Sequence, residues 1–99
     1  MVHHQVAPVG VAVLDRMMLM NAEDLSQGLR EVQNVCAVFC GHVHVASEEV
    51  RDGIPVFTTP STCFQFSEGP TGLTVSLASP MLRLVTCQGR EISSIVVPV

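Results

Sequence analysis

Four histidines are the residues of this 99-residue sequence whose spacing is most suggestive of chemistry. Two are adjacent, His3 and His4, and two lie close together in Cys40-Gly41-His42-Val43-His44. In extended chain, residues two apart point to the same side about 6.6–6.8 Å apart, so His42 and His44 are expected to reach two neighbouring metal ions, or one ion if the loop curls. Neutral imidazole suits Zn, Fe, Mn or Ni. The alternative for each pair is a set of solvated surface histidines without a ligand.

The segment before His42 is expected to position the second pair. Val35 to Cys40 is a continuous apolar run bounded by Asn34 and Gly41. Its length and β-branched residues predict a buried strand. The two histidines would then follow the carboxyl end of a strand, where α/β proteins place ligands. Gly41 would let the backbone and a metal site approach closely.

A single helix is predicted at about residues 22–33. Asn21 is a candidate N-cap residue, and acidic side chains in the first turn favour the helix dipole. Leu25, Leu29 and Val32 form one apolar stripe at helical spacing.

The segment from Val6 to Leu14 predicts a loop. After the helix, most of the sequence predicts short β-strands. Turn residues at 51–53 and 88–90 indicate two hairpins. Including the buried run at 35–40, about six mostly short strands are predicted, and the further ones are Val43–Ala46, Ile54–Thr58, Leu73–Leu77, Leu82–Cys87 and Ile92–Val97. One helix followed by these strands predicts a single α+β domain over residues 1–99.

The composition indicates that part of the surface is covered by another chain or another part of the fold. Charged residues make up 14% of the sequence, against about 25% in an ordinary soluble protein. Apolar types reach 47%. We therefore expect either a homo-oligomer or contact with a further half of the domain. The alternative is a small, unusually apolar domain.

Charge and hydropathy exclude several other classes of partner. The net charge is −4 and the five arginines are scattered, so no basic stripe is available for nucleic acid. No apolar run approaches the roughly 20 residues of a membrane span. The first residues do not resemble a signal peptide, so a cytoplasmic protein with four reduced cysteines is expected.

Over nearly its whole length, the order of motifs resembles the bacterial class III cyclic-nucleotide phosphodiesterases of the calcineurin-like metallophosphoesterase superfamily. The matching segments are 3–10, 14–16, 19–25, 40–44, 53–56, 59–63, 65–66 and 79–83. The family's αββα sandwich is then the expected fold, of which this sequence resembles the C-terminal half. Gln5-Val6 departs from the family, which usually has a proline soon after the paired histidines.

The resemblance implies a binuclear metal site with divalent Fe, Mn or Zn ions. His3 and His42 match ligands of one metal, and His44 matches a ligand of the other. His4 matches an adjacent histidine that supports the ligands without binding the metal. Pro60, Ser61 and Thr62 are expected to form a packed turn near this site.

The family's N-terminal half carries an Asp-x-His pair, a bridging Asp and a Gly-Asn segment, none of which the sequence matches. The acids at 15, 48, 49 and 52 are expected to be solvated, in turns or on the approach to the helix. The chain is therefore predicted to have little or no phosphodiesterase activity alone. Two hypotheses follow, an enzyme portion that needs an N-terminal half and a non-catalytic module that self-associates.

Overall fold

A computed structural model describes all 99 residues, which form two helices and seven strands. The helices are α1, Ala12–Asp15, and α2, Ala22–Glu31. The strands are β1, Val38–Cys40; β2, Ser47–Arg51; β3, Ile54–Thr58; β4, Gln65–Gly69; β5, Gly72–Ser76; β6, Met81–Gln88; and β7, Glu91–Pro98. The predicted mixture of few helices and many short strands is confirmed.

The strands form three separate small sheets. The first has the order β1-β3-β2, with β1 parallel to β3 and β2 antiparallel to it. The other two are the antiparallel hairpins β4-β5 and β6-β7. The parallel pair and the helix give the chain a partial α/β character. Neither helix has the length and apolar character required to cross a membrane.

The core lies between one face of the first sheet, helix α2 and the N-terminal segment. Its buried members are Val6, Ala7, Ala22, Val38, Cys40 and Val56. Leu25 and Leu29 of α2 pack against this cluster, as the predicted stripe requires. Val32 does not, because α2 ends at Glu31 and Val32 is extended and exposed.

The segment from Gln5 to Leu19 is a compact loop that contains α1. Gln5 is fully buried, and its Nε2 donates to the Leu14 carbonyl at 2.6 Å. The Gln5 carbonyl accepts a hydrogen bond from the Leu19 amide at 3.0 Å. Gln5 stands near the position where the family usually has a proline. Its two hydrogen bonds therefore connect the beginning of this loop to α1 and to Leu19.

Several predictions of individual elements are wrong. Helix α1 begins within the segment at 6–14 that predicted a loop, so the chain has two helices and not one, and no strand was predicted at β2. The strand predicted at 43–46 is a loop, because His42 and His44 have φ angles of 54° and 50°, which extended chain does not adopt. Strand β1 begins only at Val38, and Asn21 makes no side-chain cap to α2. Strand β4 was not predicted, because Gln65–Gly69 contains one apolar residue and no alternation.

Both predicted hairpin turns are confirmed. The first joins β2 to β3 through Asp52 and Gly53, with φ angles of 52° and 78°. Positive φ at both central residues is typical of the tight turns that connect twisted strands. The second turn lies between the paired residues Gln88 and Glu91.

Arg83 fastens the β6-β7 hairpin to the first sheet. Its side chain is 2% exposed, and its Nη1 donates to Glu48 at 2.8 Å and to Ser94 at 2.6 Å. Its Nη2 donates to the Thr58 carbonyl at 3.0 Å. The guanidinium also lies over the Phe57 ring, 5.1 Å from its centroid. One buried cation thus joins β2, β3, β6 and β7.

Candidate metal centre

The histidines from the two distant segments meet at the carboxyl end of β1. The His42 Nδ1 and His3 Nε2 atoms lie 3.2 Å apart. The His4 ring centroid is 4.3 Å from that of His42 and 5.1 Å from that of His3. Val2 forms a parallel bridge to Cys40, with its amide 2.9 Å from the Phe39 carbonyl. This bridge delivers His3 to the end of β1 beside His42.

The loop after β1 is held by a buried side chain between the two half-buried histidines. Val43 is fully buried, whereas the flanking His42 and His44 are half-buried and adopt left-handed backbone. The Val43 amide donates to the Gly41 carbonyl at 2.6 Å, and the Thr59 amide donates to the Cys40 carbonyl at 2.9 Å. The extended His-x-His geometry predicted from the sequence is therefore wrong, although the location at the end of β1 is confirmed.

Thr58 fixes the chain beyond the second histidine. Its buried hydroxyl donates to the Val45 carbonyl at 2.6 Å and lies 2.8 Å from the Ser47 hydroxyl. The expected steric role of Gly41 is not supported. A Cβ atom added there would lie 3.9 Å from His3 Nδ1, an ordinary contact distance.

The surroundings of His42 alter its protonation. Its Nε2 is enclosed and has no hydrogen-bond partner. Desolvation lowers the pKa of His42, and the nearby charges of His4, His3 and His44 lower it further. No carboxylate contributes to this pKa. The surroundings therefore favour the neutral ring, which is the form that binds a metal.

His44 lies in an aromatic niche. Its ring stacks on Phe66 with centroids 4.7 Å apart, and it meets Phe64 edge to face at 5.0 Å. Its Nδ1 is 3.0 Å from the Phe64 carbonyl oxygen. Sequence reasoning placed neither phenylalanine beside a histidine. A usable signal was that two of the four phenylalanines flank Gln65.

The predicted packed turn leads into this niche. Pro60 is buried, and the Ser61 amide donates to Gln65 Oε1 at 2.9 Å. Gln65 Nε2 returns a hydrogen bond to the Ser61 carbonyl at 2.7 Å. The turn therefore has a structural contact with β4, in agreement with the packing role expected for it.

The imidazoles fit one side of a metal centre. Two nitrogens on one tetrahedral ion, each bonded at about 2.0–2.1 Å, lie roughly 3.3 Å apart, close to the 3.2 Å between His42 Nδ1 and His3 Nε2. The unpartnered Nε2 of His42 is a second sign of an incompletely satisfied site. However, no group of three or more His, Cys, Asp or Glu side chains is arranged to hold an ion. The residues thus fit an imidazole contribution and not a complete centre.

Three of the four acids expected to be solvated, Glu48, Glu49 and Asp52, are exposed, and three of the four also accept hydrogen bonds or form ion pairs. Asp15 accepts hydrogen bonds from the Val9 and Gly10 amides in the N-terminal loop. Glu48 and Glu49 lie on β2 and not in a turn, and Glu48 pairs with Arg83. Asp52 lies in the predicted hairpin turn, where it pairs with Arg30 at 2.6 Å.

No protein-family model matches the chain. Individual proteins do. It is 36% identical over 86 residues to the 3′,5′-cyclic adenosine monophosphate phosphodiesterase CpdA of Vibrio vulnificus, covering 87% of this chain and 31% of that protein. It is 32% identical over 80 residues to CpdA of Escherichia coli K12, covering 81% and 29%. A probable cyclic nucleotide phosphodiesterase of Psychrobacter arcticus is 38% identical over 64 residues, covering 65% and 23%.

The matched residues make up most of this chain. They make up less than a third of the length of each of these relatives. The matches agree with the resemblance found in the motifs around the four histidines. The chain belongs to the bacterial class III cyclic-nucleotide phosphodiesterases.

Proposed function

We propose that this chain supplies the histidine side of a binuclear-metal phosphodiesterase centre. His3 and His42 would bind one divalent ion, and His44 would bind the other, with Fe, Mn or Zn as the metals. His4 would support the cluster without binding an ion. The observation that carries the proposal is the 3.2 Å approach of nitrogens from His3 and His42, which are 39 residues apart.

The backbone at the site supports the same proposal. His42 and His44 both adopt left-handed φ angles, at a cost of about 1–2 kcal/mol per residue for a side chain other than glycine. Such strain persists where the surrounding fold enforces it, and it clusters at ligand sites. Here the burial of Val43 between the two histidines enforces it.

In a complete centre, two divalent ions supply charge neutralisation at the phosphate and activation of water for in-line attack. The residues of this chain would hold and orient that centre. Neutral His42, kept so by desolvation, would present a lone pair, and His3 would approach from the bridge at Val2. The substrate class we propose is a cyclic nucleotide or a related phosphodiester, following the relatives' names.

We propose further that the chain alone is inactive. Carboxylates are needed to hold two cations close together, and no carboxylate is among the causes of the lowered pKa of His42. A carboxylate-bearing N-terminal half would complete both the centre and the αββα sandwich. It would meet the chain in the cytoplasm.

The test is metal binding by the purified chain, together with hydrolysis of bis-nitrophenyl phosphate. Zn²⁺ titrated into the metal-free chain is expected to bind weakly at the cluster, without turnover. His3→Ala and His42→Ala are each expected to reduce the affinity at least tenfold, by analogy with losses seen when metal sites are disturbed. His4→Ala is the matched control and is expected to change it less.

Two outcomes would contradict this proposal. Zn²⁺ affinity unchanged by His3→Ala and His42→Ala would remove the ligand assignment. Robust turnover by the unassisted chain, with two ions bound per molecule, would remove the claim of inactivity. Addition of a separately produced N-terminal half of a relative is expected to restore hydrolysis.

A second function, self-association, is favoured by the outer face of the β6-β7 hairpin. Arg83 faces the body of the protein, so the alternate residues Leu84 and Ile95 face outward. They form a cross-strand pair and are 51% and 60% exposed. We propose that a second copy covers this apolar face.

Sedimentation velocity tests the association. The chain is expected to sediment as a dimer or larger species, and Leu84→Ser with Ile95→Ser is expected to yield monomers. Val50→Ser, at an exposed apolar residue on β2, is the control and should leave the oligomer intact. A monomeric wild-type chain at high concentration would rule the second function out.

A further inference from the structure

The niche of His44 constrains which of its ring nitrogens carries the proton. A neutral imidazole has one N–H donor and one acceptor nitrogen, and a backbone carbonyl oxygen only accepts. The His44 Nδ1 atom lies 3.0 Å from the Phe64 carbonyl. Nδ1 must therefore carry the hydrogen, which leaves the lone pair on Nε2.

The carbonyl that imposes this form is itself held in place. Gln65, the next residue, is buried and bridges the turn, since its Nε2 donates to the Ser61 carbonyl and, at 3.4 Å, to the Ser79 carbonyl. The Ser61 hydroxyl accepts from the Cys63 amide at 3.0 Å. The segment from Ser61 to Gln65 is thus pinned at several points, and the Phe64 carbonyl has little freedom to turn away.

The Phe66 ring restricts the second degree of freedom, the rotation of the imidazole. It lies nearly parallel to His44, at an interplanar angle of 17°. Phe64 closes the niche, because it meets both His44 and Phe66 edge to face, at 5.0 Å and 5.3 Å. Rotation of the His44 ring away from the carbonyl would break the stack.

We propose that the Phe64 carbonyl and the Phe66 ring are positioning groups that hold His44 as the Nδ1–H form with Nε2 presented as the ligand atom. The relevance of this to a metal rests on the proposed function; the proton position does not. The neutral side chain of a histidine in water favours hydrogen on Nε2, so without this niche most His44 rings would have Nδ1 and not Nε2 free. Orientation by a group bonded to the second ring nitrogen is how proteins tune metal-binding histidines.

The test is nuclear magnetic resonance of the metal-free chain labelled with ¹⁵N-histidine. Long-range ¹H–¹⁵N spectra distinguish protonated from unprotonated ring nitrogens, and they are recorded at about pH 8, above the usual histidine pKa. His44 is expected to show a protonated Nδ1. His4, which makes no hydrogen bond through its ring, serves as the internal reference and is expected to show a protonated Nε2.

Variants at Phe66 separate positioning from folding. Phe66→Leu is expected to shift part of the His44 population to the Nε2–H form and to weaken Zn²⁺ binding about tenfold, the lower end of losses for groups that orient a ligand. Phe66→Tyr keeps the ring and is expected to restore both properties. Phe39→Leu is the matched control, because it removes a ring that stacks on Phe57 and not on a histidine.

The outcomes separate this inference from the proposed function. Protonated Nε2 on His44 in the wild-type chain overturns the inference, whether or not Zn²⁺ binds and without reference to any variant. A protonated Nδ1 with no Zn²⁺ binding upholds the proton position and overturns the metal centre. Phe66→Leu with unchanged ring spectra would show that the carbonyl acts alone and would overturn the part assigned to Phe66.

Discussion

The chain divides into two regions that are held together in different ways. Residues 1–65, the body, contain every buried residue of the protein, 14 in all. Residues 66–99, the hairpin region, contain none. The body has an apolar core between a helix and a mixed sheet, whereas the β6-β7 hairpin contacts the body through a buried arginine side chain, Arg83.

The difference explains where the histidines are. All four lie in the body, on segments anchored by buried neighbours such as Gln5 and Val43. A metal ligand must be held to within a fraction of an ångström, which a packed core provides and an exposed hairpin does not. The hairpin region contributes one ring, Phe66, at the point where β4 leaves the body.

The largest difference between the regions is expected from a matched pair of leucines. Leu14 is 1% exposed and Leu84 is 51% exposed. Leu14→Ala should lower the free energy of unfolding by about 3 kcal/mol, because it leaves a cavity in the body. Leu84→Ala should change it by about 0.5 kcal/mol or less. Urea unfolding at protein concentrations low enough to keep every variant monomeric measures both, and equal losses would remove the distinction between the regions.

The next largest effect on stability is expected from replacement of Arg83. Arg83→Met keeps much of the side-chain volume but leaves the Thr58 and Ser47 carbonyls without the donors they now have. A loss of about 2 kcal/mol is expected from such unsatisfied groups. The β6-β7 hairpin should also become sensitive to limited proteolysis.

Arg90→Met is the control for Arg83. Arg90 is exposed in the turn of the same hairpin, so its replacement should be near neutral. If Arg83→Met proved equally neutral, apolar contacts alone would account for the docking of the hairpin.

A smaller effect is expected from pH at the histidine cluster of the metal-free chain. Desolvation lowers the pKa of His42 in the folded state from the 6.5 of an unperturbed histidine. Below that value the unfolded state binds more protons, so stability present above about pH 6.5 is lost as the pH falls through the folded-state pKa. Unfolding of the wild type and of His42→Asn between about pH 5 and pH 8 should show the weaker pH dependence in the variant. An equal dependence of the free energy of unfolding on pH in the two proteins would contradict this prediction.

Sequence reasoning succeeded where pattern and packing agree. Helix α2 and both tight hairpins followed from the spacing of Leu25 and Leu29 and from the glycines in the turns. The meeting of His3 with His42 also followed, because the resemblance assigned both to one site. The assignment of ions to these residues stays a prediction.

It failed where local geometry depends on contacts from elsewhere in the chain. The alternation Gly41-His42-Val43-His44 suggests extended backbone, yet Thr58 and Thr59 hold this loop by hydrogen bonds to Val45 and Cys40. The aromatic niche of His44 depends on a segment 20 residues away. Neither effect leaves a local periodicity in the sequence.

The left-handed backbone at the second histidine pair has a consequence for engineering. Glycine reaches the φ angles of 54° and 50° at positions 42 and 44 without the steric cost that histidine bears there. A glycine at either position would therefore make the folded state more stable and would at the same time remove a proposed metal ligand. At these two positions, a substitution that raises thermal stability is therefore expected to lower metal affinity.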